Sequence, residues 1–432
     1  MTDVFPIDTI SSRGQKAEAL ICKVLSAVYT QNKAPQGVVE YLKEPNKKGV
    51  VCAFFFSGRS GSFFAQSFFD SFNHPQVITV NSPALAGFDF YVSNLTVEQF
   101  NQGGVMSDAA LLQWCESTLK NFPLIYTKMP DQPGFDTFCV AQQPFTDLVY
   151  AQLLMVPQDK LTHDQLLKII FIAYRVAHGG PLDCKNVNVA FIWQAHTPSP
   201  ERKLWIKKAF ADHCIVTVAR FPEKSLDSHL VHHGYETVSP PLHTLFRRLL
   251  LEHMAVNHEV AGDINENKEY TIRFEDLHHH TAFVLKALCD KLNVQYDEGL
   301  VANNFSLQVR GKKVSGARNL TRSEFEPKLL NYYDKMKIRY LMQEEYRQWG
   351  YDAFCEPSLD ESLAHYENDE VIRDSVFGGH AVLCQVQPES PLIISQENEL
   401  IKKLYTDERA RRGNGVALTP LLYSLDDLPK NN

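Results

Sequence analysis

Residues 49–64 read GVVCAFFFSGRSGSFF. Within them, 50–56 is an unbroken apolar run, short enough to be a strand buried on both faces. The run stops at Ser57-Gly58-Arg59-Ser60-Gly61-Ser62; Phe63, Phe64, Phe68 and Phe69 then recur with helical spacing, and Ser62 is placed to cap that helix. The stretch predicts a strand, a glycine loop and a helix. Two glycines let the backbone curl with its N–H groups inward, the helix contributes the positive end of its dipole, and Arg59 adds a full charge. Such a loop suits a phosphate or sulfate group, or it is an ordinary tight strand-to-helix turn. It is not a Walker A loop, because no Gly-Lys-Ser/Thr closes it.

Working outward, the 432 residues allow one large domain or two smaller ones, and 44% hydrophobic with 22% charged residues is the balance of a globular protein. A net charge of −8 argues against a nucleic-acid coat or a binder of anionic membranes, so an anionic ligand needs locally placed arginines and lysines. The nine cysteines are scattered, form no Cys-x-x-Cys, and several sit inside apolar runs, which predicts reduced core thiols. The N-terminal stretch lacks a basic-then-apolar leader pattern, and no run of about 18 apolar residues is present to span a bilayer. The expectation is a cytoplasmic protein.

Ala17, Leu20, Ile21, Val24, Leu25 and Val28 form one helical stripe over 15–29. Strands are expected at 75–80, 122–128, 187–193, 214–218 and 270–274. Helices are expected at 111–119, 200–211, 223–233, 242–257 and 326–350. Thr162-x-x-Gln165 is a capping box for a helix over 163–178 that closes at Gly179-Gly180-Pro181, and Asp276 is placed to cap a helix over 277–292. Alternation of strands with helices along 49–292 predicts an α/β fold, a parallel sheet flanked by helices on both faces. The organisation read from this is an N-terminal helical segment (1–44) packed on an α/β domain (45–355). A C-terminal extension (356–432) follows, partly disordered or a small appended element.

Four separated segments together resemble the sulfotransferases that use 3′-phosphoadenosine 5′-phosphosulfate (PAPS), over about residues 45–352. In that family a basic residue followed by Ser-Gly-Ser/Thr holds the 5′-phosphosulfate, and Gly58-Arg59-Ser60-Gly61-Ser62 has that form; Phe63 stands where many members carry a second hydroxyl. The family has a strand ending in Arg and a Ser eight positions later, both on the 3′-phosphate, matched here by Arg220 and Ser228. An arginine at a strand end and a serine two helical turns along can converge on one anion. Arg273-Phe-Glu-Asp-Leu277 looks like the family's largely structural Arg-Tyr-Glu-Asp-Leu segment, and Arg339-Tyr340…Tyr346-Arg-Gln-Trp-Gly350-Tyr351 like its closing helix. His196 lies where the family's Lys-x-His supplies a general base, with Gln194 in place of the lysine; the plain alternative is a surface-loop histidine. Arg310-Gly311-Lys312 lies where the family has a basic loop that closes over the 3′-phosphate, and is otherwise a solvated turn.

The resemblance implies a P-loop-like sulfotransferase fold and sulfuryl transfer from PAPS to a hydroxyl or amine, releasing PAP. Arg59 and His196 are then the catalytic residues, the acceptor a small molecule or glycan. Positive charge comes from the protein, without a metal. Two other classes stay open: a nucleotide-binding protein that kept the fold without the chemistry, and a P-loop kinase-like phosphotransferase. His229, His232 and His233, and His278–His280, are weighed as partly buried faces against a zinc site. Phe88, Phe90, Tyr91, Phe135, Phe138 and Tyr174 fit either an apolar acceptor pocket or packing.

Overall fold

Successive residues of a strand face opposite sides of its sheet, so an all-apolar strand needs cover on both. Strand β1 (Val50–Phe56) sends Val51, Ala53 and Phe55 into one core and Val50, Cys52 and Phe54 into another. Gly49 enters the strand at φ 129, where an added Cβ would run into the Val189 carbonyl. The structure is a computed structural model that describes residues 7–30, 34–44, 47–56, 62–69, 74–79, 97–98, 100–101, 107–119, 142–156, 161–184, 188–195, 200–232, 268–302, 307–309, 312–314, 326–327, 330, 335, 338–340, 342–354, 403, 406–407 and 418–429.

With β2 (Val77–Thr79), β3 (Ala190–Ala195), β4 (His213–Ala219) and β5 (Glu269–Arg273), β1 forms a parallel sheet of order β2-β3-β1-β4-β5. Cys52 lies opposite Ile192 on one side and Cys214 on the other. The first core joins the sheet to α1 (Ile7–Val28), α2 (Val38–Lys43), α4 (Asp108–Leu119), α5 (Gln142–Met155), α6 (His163–Ala177) and α7 (Pro200–Ala209). The second joins it to α3 (Ser62–Phe69), α9 (Phe274–His279), α10 (Thr281–Leu292) and α11 (Gly299–Ala302). Helix α8 (Pro222–His232) follows β4, and α12 (Gln343–Gln348) comes after residues 307–314 in the chain. The protein is thus an α/β sandwich with a five-stranded parallel sheet between two helical layers.

The capping box forms as expected: the Gln165 N–H donates to Thr162 Oγ1 at 3.1 Å and the Thr162 N–H to Gln165 Oε1 at 2.9 Å. Three expectations need correcting. Asp276 does not cap a helix, because its carboxylate is taken by Arg273; α9 starts earlier, at Phe274, and the chain breaks at His280 before α10. The helix expected over 326–350 is borne out only in part: 326, 327 and 330 are not helical, 335 and 338–340 are, and after a turn at Met342 α12 spans Gln343–Gln348. Helix α5 was not anticipated: Phe145–Leu154 are buried all round, so no polar face marks the helical period. The strand expected at 122–128 and the helix at 242–257 lie outside the described residues.

A C-terminal segment completes the sheet edge. Thr271 donates its N–H to Pro420 O at 2.7 Å and accepts from the Leu422 N–H at 2.9 Å, a parallel bridge to Leu421. Leu418, Thr419, Leu422 and Tyr423 are buried there. Among the described residues no helix is long and apolar enough to cross a membrane.

Burial holds His74, His163, His178 and His213 below the usual imidazole range. The unfolded chain therefore binds more protons below about pH 6.5, and stability falls as pH drops through that value toward the depressed folded ones. Urea midpoints are expected to be lower at pH 5.5 than at pH 7.5, with His213→Gln flattening the difference; equal midpoints would contradict the sign.

Candidate functional site

Parallel strands present their carboxyl ends at one edge, and ligands of open α/β sheets bind where connections from adjacent strands diverge. β1 and β4 are such a pair. Helix α3, which follows β1, packs against β1, β3 and β2, whereas the chain leaving β4 passes through α8 and returns as β5 on the other side. Phe56 lies opposite Val218, Phe55 opposite Ala195 and Ala219 opposite Arg273. Phe56, Ala195, Ala219 and Arg273 therefore end their strands at one edge of the sheet, where paired strands lie about 4.8 Å apart. Gly58, Arg59, Ser60, Gly61 and His196 lie outside the described residues, as do the side chains of Ser62, Phe63 and Gln194. Ser62 is the first residue of α3.

Arg220 is half-buried, with its guanidinium 4.7 Å from the centre of the Phe274 ring. The next residue, Phe221, donates its backbone N–H to Glu275 Oε1 at 2.9 Å, and Tyr351 donates its hydroxyl to Glu275 Oε2 at 3.1 Å. Burial raises the pKa of Glu275, partly offset by the hydrogen bond from Phe221. Two consecutive residues, Phe274 and Glu275, thus hold Arg220 by its side chain and by the backbone beside it. The Phe221 ring lies edge-on to Tyr346 and Tyr351 at 5.7 and 5.8 Å, and Tyr346 donates to Glu223 at 3.0 Å.

Helix α8 starts at Pro222, a residue suited to the first helical position because it has no N–H to satisfy. From Phe221 to Asp227 every residue but Lys224 is buried, whereas Arg220, Lys224 and Ser228 are half-exposed. Lys224 and Ser228, four apart within α8, share one face of it, and Arg220 precedes the helix by two residues. Ser228 stands roughly 9 Å along the axis from the helix start. Arg220 and Ser228 are thus both half-exposed, one just before α8 and the other within it.

The third motif is a lock. Arg273 donates to both oxygens of Asp276 at 2.6 Å and to the Trp349 carbonyl at 2.8 Å, and Tyr423 donates to Asp276 at 2.7 Å. Trp349 Nε1 donates to Thr419 O at 3.2 Å. Gly350 is left-handed at φ 67, and a Cβ there would sit 2.6 Å from Leu425. The closing motif is thereby tied to both the C-terminal segment and the strand edge.

The strands β6 (Leu307–Val309) and β7 (Lys312–Val314) pair antiparallel with Val309 opposite Lys312. Arg310-Gly311 is their two-residue connection and lies outside the described residues. His278 is a packing residue, stacked on Phe64 at 4.0 Å. Among the described residues no group of three His, Cys, Asp or Glu could hold a metal ion. Tyr174 is buried in the first core, edge-on to Phe145; the other five aromatics weighed for the acceptor pocket lie outside the described residues. Sequence reading missed Phe274 and Glu275 as the clasp around Arg220. Phe274 and Glu275 sit inside a quoted motif, but nothing local links them to a residue 54 positions away.

No family model matches the chain, and no characterised protein matches it in sequence. Nine chains of solved structures match, and three of them are as follows. One is the sulfotransferase domain from the curacin biosynthetic pathway, at 15% identity and TM-score 0.33, covering 63% of this chain and 86% of that one. Another is the sulfotransferase domain of the Synechococcus PCC 7002 olefin synthase, at 17% identity and TM-score 0.33, covering 63% and 83%. The third is sulfotransferase STF9 from Mycobacterium avium, at 11% identity and TM-score 0.31, covering 76% and 85%. At these identities and scores the likenesses do not assign an activity.

Proposed function

We propose that this protein is a PAPS-dependent sulfotransferase acting on a hydroxyl or amine of a small-molecule or glycan acceptor. The observation that carries the reading is the clasped Arg220, which follows β4, the strand paired with the one that leads toward Arg59, with Ser228 on the helix just after it. A guanidinium and a hydroxyl fit the doubly charged 3′-phosphate that distinguishes PAPS from other adenine nucleotides. When bound, PAPS supplies the sulfuryl group. Arg220 and Ser228 fix the 3′-phosphate end, and Arg310, Gly311 and Lys312 cover it. The N–H groups of residues 58–63 and the Arg59 guanidinium hold the phosphosulfate and stabilise charge growing on the oxygen that leaves with PAP. His196 takes the acceptor proton, a role suited to an imidazole that titrates near neutrality. A reducing cytoplasmic setting accords with the free thiols at Cys52, Cys115, Cys214 and Cys289.

Thermal shifts with PAP, ADP and ATP test the reading: PAP should stabilise most, and ATP exceeding PAP would favour a phosphotransferase. Arg220→Ala should weaken PAP binding by about 10- to 100-fold, the worth of a hydrogen bond to a charged group; unchanged affinity by calorimetry would remove Arg220 from the site. Phe63, in place of a hydroxyl residue, favours a second reading, a PAP-binding protein without turnover, which an acceptor panel separates from the first.

A further inference from the structure

Tyr423 belongs to the C-terminal segment, which none of the four motifs includes. Its hydroxyl donates to Asp276 Oδ2 at 2.7 Å and accepts the backbone N–H of Arg273 at 3.3 Å. It thus grips both ends of the corner Arg273-Phe274-Glu275-Asp276. The two residues between those ends are the ones that hold Arg220: the Phe274 ring lies 4.7 Å from its guanidinium, and Glu275 accepts the N–H of Phe221. Tyr423 is itself fixed from its own side. Its buried ring lies edge-on to Phe283 at 5.6 Å, and the preceding residue, Leu422, donates its N–H to Thr271 O at 2.9 Å.

Resting on the sulfotransferase reading, we infer that Tyr423 is a positioning residue for the donor site, acting on Arg220 through the 273–276 corner. An arginine side chain has large rotamer freedom, so its direction depends on the surface it lies against. Here that surface is Phe274, which directly follows the N–H that Tyr423 holds. The backbone beside Arg220 is set by Glu275, which directly precedes the carboxylate that Tyr423 shares with Arg273. Without the hydroxyl, the corner loses one bond at each end. Asp276 keeps both of its bonds to Arg273, so the corner loosens without coming apart. The C-terminal segment therefore does two things: it covers the edge of β5, and it sets the grip on a ligand beyond the end of β4.

The test is calorimetric binding of PAP and of adenosine 5′-monophosphate (AMP), which has no 3′-phosphate, to the full chain and two variants. Tyr423→Phe keeps the ring and removes only the hydroxyl. Leu167→Ala is the control: it opens a cavity in the first core, on the other side of the sheet. Tyr423→Phe is expected to weaken PAP binding about 3- to 10-fold, the worth of roughly one hydrogen bond, while AMP binding stays as in wild-type. Leu167→Ala should lower the melting temperature and leave both affinities unchanged, because folded protein keeps its site. A merely structural Tyr423 would behave like that control. Unchanged PAP affinity in Tyr423→Phe, or equal weakening of PAP and AMP, with wild-type binding PAP, overturns this role alone. Failure of wild-type to bind PAP overturns the sulfotransferase reading and this inference with it.

Discussion

Arg273→Met is expected to lower folding stability by about 3–5 kcal/mol, the usual cost of removing one partner from a buried ion pair. Arg273 and Asp276 are 6% and 3% exposed, and the arginine makes three short hydrogen bonds, two to that carboxylate and one to the Trp349 carbonyl. Methionine fills similar volume but leaves the carboxylate with the Tyr423 hydroxyl and the Trp349 carbonyl without this donor. The double variant Arg273→Met/Asp276→Asn should recover part of the loss, because it also removes the stranded charge. Urea denaturation measures both; a single-variant loss below about 1 kcal/mol would mean that water reaches the pair.

The second large effect is on chemistry. Arg59→Ala should lower kcat by about 10²- to 10³-fold, the range for removing one preorganised donor to developing charge, while the melting temperature stays that of wild-type. The fold should tolerate it because the loop follows a strand whose apolar residues are already locked between two cores. Steady-state rates with PAPS and a responsive acceptor, beside a melting curve, separate the two effects. Wild-type turnover in the variant would strip Arg59 of its role.

The sheet was legible because its central strands are buried on both faces and read as largely apolar runs: the strands expected at 50–56 and 214–218 match β1 (Val50–Phe56) and β4 (His213–Ala219) closely. Helix α6 was legible because its capping box is local. Helix α5 was not, since burial on every side removes the polar–apolar alternation that marks a helix. Asp276 was misread because an acidic residue beside a helical run looks like a cap, whereas here Arg273 takes both of its oxygens and Tyr423, 147 residues away in sequence, adds a third bond. At the site, the placing of Arg220 after a strand and of Ser228 on the helix that follows was legible locally. What holds Arg220 in place was not, because the Phe274 ring and the Glu275 carboxylate come from the next strand's end.

Thr271 and Thr419, which meet at the outer side of β5, are 148 residues apart. A ribosome adding roughly 5–20 residues per second needs about 7–30 s to make the intervening chain. Throughout that interval the nascent edge strand shows bare amide and carbonyl groups, the template on which neighbouring polypeptides pair and aggregate. Yield in the cell should therefore depend on chaperones that shield the growing chain, and on whatever follows residue 429 leaving that last seam free to close.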